Sequence, residues 1–302
     1  MTSTDLSALR ADLAAAITAT GLDPAEVVAV VRRALKEDLA FGPDVTTLST
    51  VAPTARATGD VIPRSAGVLA GVPIAAAVFD LVGGSAIDLV LHVADGSSAD
   101  AGRPVLTATG PTQSLLTAER TALNLIGHLS GIATTTRRWV DAIAGTGAAI
   151  RDTRKTTPGL RALEKYAVRC GGGQNHRMAL GDAALVKDNH IAAAGGITAA
   201  VDAVRAAAPG VPLEAECDTL DQVCEAVDAG VALVLLDNFG LDETAAAVAL
   251  ARPAGVRLEA SGGLTLSRAY EVAATGVDYL AVGALTHSAP VLDLGFDLRD
   301  TH

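Results

Sequence analysis

The chain has 302 residues, of which 50% are hydrophobic and 3% aromatic, and its formal net charge at pH 7 is −11. This length is enough for one or two domains with large aliphatic cores, such as helices packed on a buried parallel sheet. The scarcity of aromatic residues argues against a nucleic-acid stacking surface. The acidic charge excludes attraction of polyanions by the protein's overall field.

The three cysteines, Cys170, Cys217 and Cys224, form no CxxC pair and cannot all be joined to one another. This usage is typical of a reducing compartment, and we expect the cytoplasm. The N-terminus lacks a basic segment followed by an apolar one, so no secretory signal is expected. No apolar stretch reaches membrane-spanning length without charges, so no membrane partner is expected.

The first residues are predicted to be helical. Residues 1–20 are rich in alanine and predict a loose helix, and residues 24–40 have a helical period. Asp23 is a plausible cap for this second helix, and Pro24 suits its first position.

Between residues 55 and 110, short segments punctuated by glycine and proline predict antiparallel strands, with one helix over residues 73–83. Residues 112–144 then carry a helical period throughout, and Gly127 and Gly131 are expected to interrupt it. The pattern predicts a small α/β domain followed by a long helical region.

After residue 148 the chain alternates between short apolar runs and helix-like stretches, which is typical of parallel strands joined by helices. Each apolar run ends on a polar, charged or glycine residue; the six runs are 148–155, 183–188, 212–217, 232–238, 256–263 and 278–284. A seventh strand is possible near the end of the long helical region. In a barrel of parallel strands the C-terminal ends converge on one mouth. We therefore expect the following residues to meet in space: Arg154, Lys155, Lys187, Glu216, Asp237, Ser261 and Gly283.

The helix-like stretches between these runs cover residues 197–210, 219–230, 241–251 and 265–276. Three glycines, Gly210, Gly230 and Gly276, follow helix ends, where a positive φ is favoured.

Residues 151–187 contain eight basic and three acidic groups, so this window is +5 while the remainder of the chain is −16. A local positive charge on an acidic protein indicates a small, highly anionic ligand. The alternative is a solvated, salt-bridged helix for Arg161, Lys165 and Arg169. Three consecutive glycines open the segment GGGQNHR, residues 171–177, and predict a pliable loop that carries His176 and Arg177.

Several strand ends suggest particular chemistry. The segments SGGLT (261–265) and VGALT (282–286) predict a phosphate cradle made by backbone N–H groups, or simply tight turns. Glu216 and Asp237 are carboxylates that suit Mg²⁺ and ribose hydroxyls, although an ion pair with Lys187 or Arg154 would also explain them. Lys187 is also compatible with a Schiff-base aldolase, and Arg120 taken alone is a surface arginine.

The motifs that carry a family resemblance cover nearly the whole chain after about residue 20. They are EDLAFGPDVTT (37–47), ERTALNLIGHLSGIAT (119–134), RDTRKTTPGLRALEKYAVRCGGGQNHR (151–177), LVKDNH (185–190), EAECDT (214–219) and LLDNF (235–239). Together they closely resemble the quinolinate phosphoribosyltransferases, which are type II phosphoribosyltransferases.

The resemblance implies an N-terminal open α/β sandwich over residues 1–111, completed by a tail at about 288–302. It also implies an incomplete, seven-stranded TIM-like α/β barrel over residues 112–287. The implied reaction joins quinolinate to phosphoribosyl pyrophosphate with Mg²⁺ and gives nicotinate mononucleotide, pyrophosphate and CO₂, a step in NAD synthesis. The implied assembly is a homodimer with shared active sites, and larger assemblies such as hexamers occur in the family.

The resemblance also implies roles for individual residues. The residues expected to hold quinolinate are Arg120 from the partner, Arg154, His176, Arg177 and Lys187. Lys155 is expected nearer the pyrophosphate, with Thr153 beside it. The 5-phosphate is expected on the backbones of Ser261, Gly262, Gly263, Val282, Gly283 and Ala284. Glu216 and Asp237 are expected to hold ribose hydroxyls and Mg²⁺, directly or indirectly, and with Lys155 and Lys187 to act in catalysis.

Three alternatives remain at this point. The first is a paralogous phosphoribosyltransferase-like protein of molybdenum transport, which the complete set of cationic residues disfavours. The second is a Schiff-base aldolase that uses Lys187. The third is a non-enzymatic phosphate-binding or regulatory protein on the same barrel.

Overall fold

The structure, a computed structural model, describes residues 9–300. The first eight residues of the predicted loose helix and the last two residues of the tail therefore lie outside it. The described chain forms two compact units. Unit 1 comprises residues 9–135, 157–172 and 288–300, and unit 2 comprises residues 136–156 and 173–287. Contacts thus group residues 112–135 and 157–172 with the N-terminal part of the chain. The predicted domain boundary at residue 111 stays a prediction.

Unit 1 is built on a four-stranded antiparallel sheet with the order β12-β1-β5-β3. Its strands are β1 (Arg56–Pro63), β3 (Asp88–Leu91), β5 (Leu106–Pro111) and β12 (Leu294–Asp300), and a separate two-stranded ladder joins β2 (Gly67–Val68) and β4 (Ser98–Ala99). The helices that begin in this unit are α1 (Ala11–Ala19), α2 (Pro24–Asp38), α3 (Val45–Thr50), α4 (Val72–Gly83), α5 (Thr112–Ala142) and α6 (Arg161–Cys170). The predicted antiparallel strands and the helix over residues 73–83 are confirmed.

Helix α2 begins as its sequence dictates. Pro24 occupies the first turn, and the Asp23 side chain accepts a hydrogen bond from the N–H of Ala25. Such a cap satisfies one of the N–H groups that a helix start leaves unpaired. Helix α4 is almost wholly buried, and its Phe79 ring lies 5.3 Å from the ring of Phe296 on β12.

The expected interruption of the long helix is wrong, because α5 runs unbroken through Gly127 and Gly131. These glycines make room for the tail instead. A Cβ on Gly131 would lie 2.1 Å from the carbonyl oxygen of Pro290, and the N–H of Leu292 donates to the carbonyl of Gly127 at 3.0 Å. The absence of a side chain therefore lets one backbone lie directly against another.

The expectation of a solvated helix over residues 161–169 is also wrong in part. Glu164 and Lys165 of α6 are both 0% exposed. The Glu164 carboxylate lies 2.9 Å from Nε2 of His128 and accepts the N–H of Thr157 at 3.1 Å. Charged side chains that are fully buried must be paired, and these partners explain the burial of Glu164.

Unit 2 contains a six-stranded parallel sheet with the order β6-β11-β10-β9-β8-β7. The strands are β6 (Ala149–Arg151), β7 (Ala184–Val186), β8 (Leu213–Cys217), β9 (Leu233–Asp237), β10 (Arg257–Ser261) and β11 (Tyr279–Ala281). The helices between them are α7 (Asp188–Ala194), α8 (Ile197–Ala207), α9 (Leu220–Asp228), α10 (Leu241–Ala251), α11 (Ala269–Ala274) and α12 (Ala284–His287). The alternation of strand and helix is confirmed, and Gly210, Gly230 and Gly276 have positive φ as expected.

The ladder is that of an incomplete barrel. Among residues 9–300, β6 and β7 stand at its two ends and do not pair with each other. The region expected to supply a seventh strand before residue 144 is helical. Beyond β6 the ladder continues only as a single parallel bridge from Arg151 to Gln174.

Within the described part of the chain, no helix taken singly is long and apolar enough to span a membrane. The bent pair Ala11–Ala19 and Pro24–Asp38 meets the criteria of length and composition only when its two helices are counted together.

Candidate active site

A pocket of about 420 Å³ lies at the C-terminal ends of the strands of unit 2. Its lining residues are Thr153, Arg154, Lys155, His176, Arg177, Leu185, Lys187, Glu216, Leu235, Asp237, Glu259, Ser261 and Ala281. This volume is within the range of small-molecule sites, and the position is the one that barrels use for catalysis.

Nine of the residues predicted from the sequence therefore line one cavity: Thr153, Arg154, Lys155, His176, Arg177, Lys187, Glu216, Asp237 and Ser261. Five more follow strands β10 and β11 in sequence without lining the pocket: Gly262, Gly263, Val282, Gly283 and Ala284. Arg120 lies on α5 in unit 1, where its side chain is 66% exposed. The roles of these fifteen residues toward a substrate stay predictions.

Sequence reasoning missed four residues that also line the pocket: Leu185, Leu235, Glu259 and Ala281. Each lies two residues before a predicted strand-end residue, and side chains two apart on a strand share one face. This period of two was the signal that could have found them. It also points to Glu214, which lies two residues before Glu216 and is buried.

Two arginines supply positive charge to the pocket. The Nη1 group of Arg177 donates to the carbonyl oxygen of Ala183 at 2.9 Å. Burial, followed by the nearby charge of Arg154, lowers the pKa of Arg177. The Nε atom of Arg154 is buried and has no hydrogen-bond partner among the described residues. Like charges held together in this way favour an anionic ligand. An anion would offset the repulsion between the two guanidiniums and accept a hydrogen bond from Nε of Arg154.

The two lysines of the pocket are held differently. Nζ of Lys187 lies 2.7 Å from Oε2 of Glu216, so the ion pair that the sequence left open as an alternative is formed. An amine engaged in this way is not available as a nucleophile, which disfavours the aldolase. Lys155 is fixed through its backbone: its N–H donates to Oγ1 of Thr153 at 3.0 Å, and its carbonyl accepts Oγ1 of Thr286 at 2.8 Å.

The turn after β10 packs against Asn238, the residue that follows β9. Asn238 has a φ of 59°, its Nδ2 donates to Oδ2 of Asp237 at 2.9 Å, and its N–H donates to the carbonyl of Ser261 at 2.9 Å. Gly262 has a φ of +88°, and a Cβ there would lie 2.1 Å from Oδ1 of Asn238 and 2.9 Å from its backbone nitrogen. Gly262 is therefore required by the turn, irrespective of any ligand.

Replacing Gly262 with alanine is expected to destabilise the chain by about 2–4 kcal/mol, because positive φ and overlap with Asn238 add together. Gly210 is the matched control, since its φ is +83° and a Cβ there meets nothing within 4 Å. Gly210→Ala should cost only about 1 kcal/mol. Chemical denaturation of both variants measures the difference, and equal costs would contradict the expected clash.

The N–H group of Val282, whose backbone is predicted to hold phosphate, donates to the carbonyl of Arg151 at 2.9 Å, so the phosphate role of Val282 stays a prediction that this bond disfavours. That bond continues the ladder between β11 and β6. Gly283 and Ala284 lie at the start of α12, where the first N–H groups have no intrahelical partner. The backbone groups that remain available for phosphate are therefore those of Gly283, Ala284 and the turn at Ser261–Gly263.

A buried polar cluster lies under the pocket and centres on His176, which is 9% exposed. Its Nε2 lies 2.7 Å from Oε2 of Glu214 and 3.6 Å from Oε1 of Glu259. Oε2 of Glu259 accepts Nη1 of Arg151 at 2.6 Å. Oδ1 of Asp152 accepts the N–H of His176 at 2.8 Å. The second half of the GGGQNHR loop is therefore anchored rather than pliable.

Burial, with a smaller contribution from the charge of Glu214, raises the pKa of Glu259 from an ordinary 4.5 to about 7. Because the pKa of Glu259 is higher in the folded chain than in the unfolded chain, its protonated carboxyl stabilises the fold fully below pH 4.5. That stabilisation is lost as the pH rises through about 7.

Glu259→Gln should therefore gain stability relative to the wild type as the pH rises, by about 2 kcal/mol between pH 5 and pH 8. The Gln side chain stays neutral, while the wild-type carboxyl must ionise without water. Urea denaturation at both pH values measures the change, with Glu225→Gln, at a half-buried glutamate outside the cluster, as control. If the variant and the wild type differed in free energy of unfolding by the same amount at both pH values, the raised pKa of Glu259 would be refuted.

One group within residues 9–300 has the spacing of a metal site: His176, Glu214 and Glu259 offer ligand atoms within 4.8 Å of one another. The ring of His176 does not fit a metal, however. Its Nδ1 accepts the N–H of Arg177 at 2.7 Å, so in a neutral ring the proton is on Nε2, the nitrogen that faces both carboxylates. We assign no metal to this group.

Comparison with protein-family models gives two adjoining matches. Residues 44–130 match the N-terminal domain of quinolinate phosphoribosyl transferase, and residues 132–297 match its C-terminal domain. The chain belongs to the quinolinate phosphoribosyltransferase family. The resemblance drawn from the motifs is thereby confirmed, and so is the expected fold class.

Relatives with curated names support the same assignment. The chain is 54% identical to the nicotinate-nucleotide pyrophosphorylase [carboxylating] of Mycobacterium leprae over 89% of this chain and 95% of that protein. It is 37% identical to the human enzyme of the same name, over 92% and 93% of the two chains. Among solved structures, NadC from Streptococcus pyogenes matches with a TM-score of 0.88 and 38% identity, covering 93% of this chain and 99% of that one.

Proposed function

We propose that this chain is a nicotinate-nucleotide pyrophosphorylase (carboxylating). It transfers the phosphoribosyl group of phosphoribosyl pyrophosphate to quinolinate and releases pyrophosphate and CO₂, so that nicotinate mononucleotide is formed on the route to NAD. The observation that carries the proposal is the pair of crowded, partly buried guanidiniums of Arg154 and Arg177 at the mouth of a parallel barrel.

Quinolinate carries two carboxylates on adjacent ring carbons, so it needs two or more cations on one side of its ring. A guanidinium matches a planar carboxylate through two parallel hydrogen bonds. The unpaired Nε of Arg154 is a donor for one carboxylate, and Arg177 and Lys187 provide charge for the other. Lys155, on the strand end beside Arg154, faces the pyrophosphate.

A second set of residues holds the phosphoribosyl group. The turn at Ser261, Gly262 and Gly263 and the N–H groups of Gly283 and Ala284 hold the 5-phosphate. Glu216 and Asp237 accept the ribose hydroxyls. Both carboxylates line the same cavity as the cationic residues, so they act at short range on the ribose.

The chemistry requires orientation and charge more than proton transfer. The pyridine nitrogen attacks the anomeric carbon as the bond to pyrophosphate breaks, and the carboxylates of Glu216 and Asp237 stabilise the positive charge that develops on the ribose. The pyridinium then accepts the electron pair of the breaking bond as the 2-carboxylate leaves as CO₂, and the ring carbon takes a proton from water. No dedicated base is needed, so alignment of the two reactants is the main contribution of the protein.

Magnesium is expected to act with the pyrophosphate. Glu216 and Asp237 fit this ion by chemistry, since Mg²⁺ is usually bound by one or two carboxylates together with substrate phosphates. Each is hydrogen bonded through one oxygen, Oε2 of Glu216 and Oδ2 of Asp237, which leaves its other oxygen for a ligand or a metal-bound water. When bound, Mg²⁺ neutralises charge on the departing pyrophosphate.

The working form is a homodimer in the cytoplasm, in which Arg120 of one chain completes the site of the other. The exposure of Arg120 in the single chain supports this, because an arginine that is 66% exposed is free to enter a partner's site. The three unpaired cysteines agree with a reducing compartment. The net charge of −11 disfavours binding of nucleic acid.

Release of labelled CO₂ from quinolinate carrying the label in its 2-carboxylate tests the proposal. Release must require phosphoribosyl pyrophosphate and Mg²⁺ and must match formation of nicotinate mononucleotide mole for mole. A protein that binds both substrates but releases no CO₂ would instead be a regulatory or binding protein on this fold.

A further inference from the structure

Both ring nitrogens of His176 are engaged inside the protein. Nδ1 accepts the backbone N–H of Arg177 at 2.7 Å, and Nε2 lies 2.7 Å from Oε2 of Glu214. An amide N–H can only donate, so Nδ1 carries the lone pair. The carboxylate of Glu214 then requires a proton on Nε2. The two contacts together define one tautomer of a neutral ring.

Glu214 is the carboxylate that selects this tautomer. Its side chain is 5% exposed and its Oε2 is within hydrogen-bond distance of His176. Oε1 of Glu259 is 3.6 Å from the same nitrogen, beyond a normal hydrogen bond, and the other oxygen of Glu259 is held by Arg151. Glu214 therefore makes the hydrogen bond and Glu259 only flanks it.

The ring contact is distinct from the contact that anchors the loop. Asp152 accepts the backbone N–H of His176, a contact that fixes the backbone of the residue and does not involve its ring. Only the ring reaches forward to the N–H of Arg177, the residue whose guanidinium enters the pocket. The orientation of the His176 ring thus reaches the pocket through the backbone of Arg177.

We propose that Glu214 is a positioning residue for the diacid substrate: by accepting Nε2–H of His176, it holds the ring in the tautomer whose Nδ1 fixes the backbone of Arg177. This inference rests on the proposed function, since the diacid is quinolinate. His176 then acts on the site by holding Arg177.

The unpaired atoms of the cluster agree with a role beyond packing. Oε1 of Glu214 and Oε1 of Glu259 are buried without a hydrogen-bond partner among the described residues. Buried polar atoms that lack partners are costly, and a purely structural site would be better filled with apolar side chains. Keeping a buried carboxylate at such a cost in stability indicates that the carboxylate has a functional role.

Glu214→Leu and Glu214→Gln test the proposal together. Leucine keeps the approximate size and removes the acceptor, whereas the Gln carbonyl oxygen still accepts Nε2–H. In Glu214→Leu we expect the KM for quinolinate to rise about tenfold or more, since one hydrogen bond to a charged group is lost, with a much smaller change in kcat. Glu214→Gln should stay within about threefold of the wild type. Glu225→Leu, which removes a half-buried carboxylate that accepts from Thr198, is the matched control.

The deciding readout is ¹⁵N NMR of His176 in the substrate-free full-length chain, assigned with a His176→Gln variant. The wild type and Glu214→Gln should show a protonated Nε2 and an unprotonated Nδ1, and Glu214→Leu should lose that signature. A wild-type ring protonated on Nδ1 or on both nitrogens would overturn the proposal, even if Glu214→Leu fails to fold. So would an equal rise of KM in the Leu and Gln variants.

The NMR measurement needs no substrate, so it separates this inference from the proposed function. A chain that shows the expected tautomer but releases no CO₂ from quinolinate refutes the proposed function and, with it, the assignment of the diacid. A chain that turns over quinolinate with the wrong tautomer refutes only the role of Glu214.

Discussion

Arg120→Ala is expected to lower kcat/KM for quinolinate by an amount equivalent to about 2–5 kcal/mol, because in the proposed shared site it would leave a substrate carboxylate buried without its cation. The same change should leave the stability of the chain nearly unaltered. The side chain is 66% exposed, and its ion pair with Glu119 is long, at 4.0 Å. Steady-state kinetics with thermal unfolding of the same samples separates these effects.

Mixing Arg120→Ala with Lys187→Ala sharpens this prediction. If each site takes Arg120 from one chain and Lys187 from the other, a mixed dimer contains one intact site. Random exchange should then restore about a quarter of the wild-type activity, since half the dimers are mixed and half their sites are intact. No recovery, with exchange of subunits demonstrated by differently tagged chains, would exclude a shared site.

Arg177→Lys should raise the KM for quinolinate by an amount equivalent to about 2–3 kcal/mol, although the charge is kept. Lysine cannot present the planar fork that binds a carboxylate through two bonds, and it cannot donate to the carbonyl of Ala183 from the same position. The KM for phosphoribosyl pyrophosphate should change little, because the proposed function assigns Arg177 to the diacid.

A matched control for this variant is Arg205→Lys. Arg205 also donates from its guanidinium to backbone carbonyls, those of Ala229 and Gly230, but it does not line the pocket. It should leave both KM values unchanged. If Arg177→Lys raised the two KM values equally, Arg177 would act on the pocket as a whole and not on the diacid.

The strand ends were predictable because one physical rule governs them. Apolar runs bounded by polar residues identify strands, and parallel strands bring their C-terminal residues together. Arg154, Lys187, Glu216 and Asp237 meet in one cavity for that reason. The antiparallel strands of unit 1 were predictable from glycine and proline punctuation.

The errors have physical causes as well. Gly127 and Gly131 look like helix breakers, but their function depends on residues 290–292, which lie far away in sequence. Lys165 looks solvated because its burial depends on tertiary contacts. Glu214 and Glu259 were overlooked because each stands one strand period before a more conspicuous residue. Only the pairing with His176 shows why an acidic group is there.

The sheet of unit 1 has a consequence for biosynthesis. Strand β12 pairs with β1 across more than 230 residues of sequence, so it is synthesised long after its partner. The edge of β1 that faces β12 stays open until then, and unpaired strand edges favour aggregation. Closure of this sheet therefore waits for β12, and a deletion within β12 should harm the yield of folded protein more than its small size suggests.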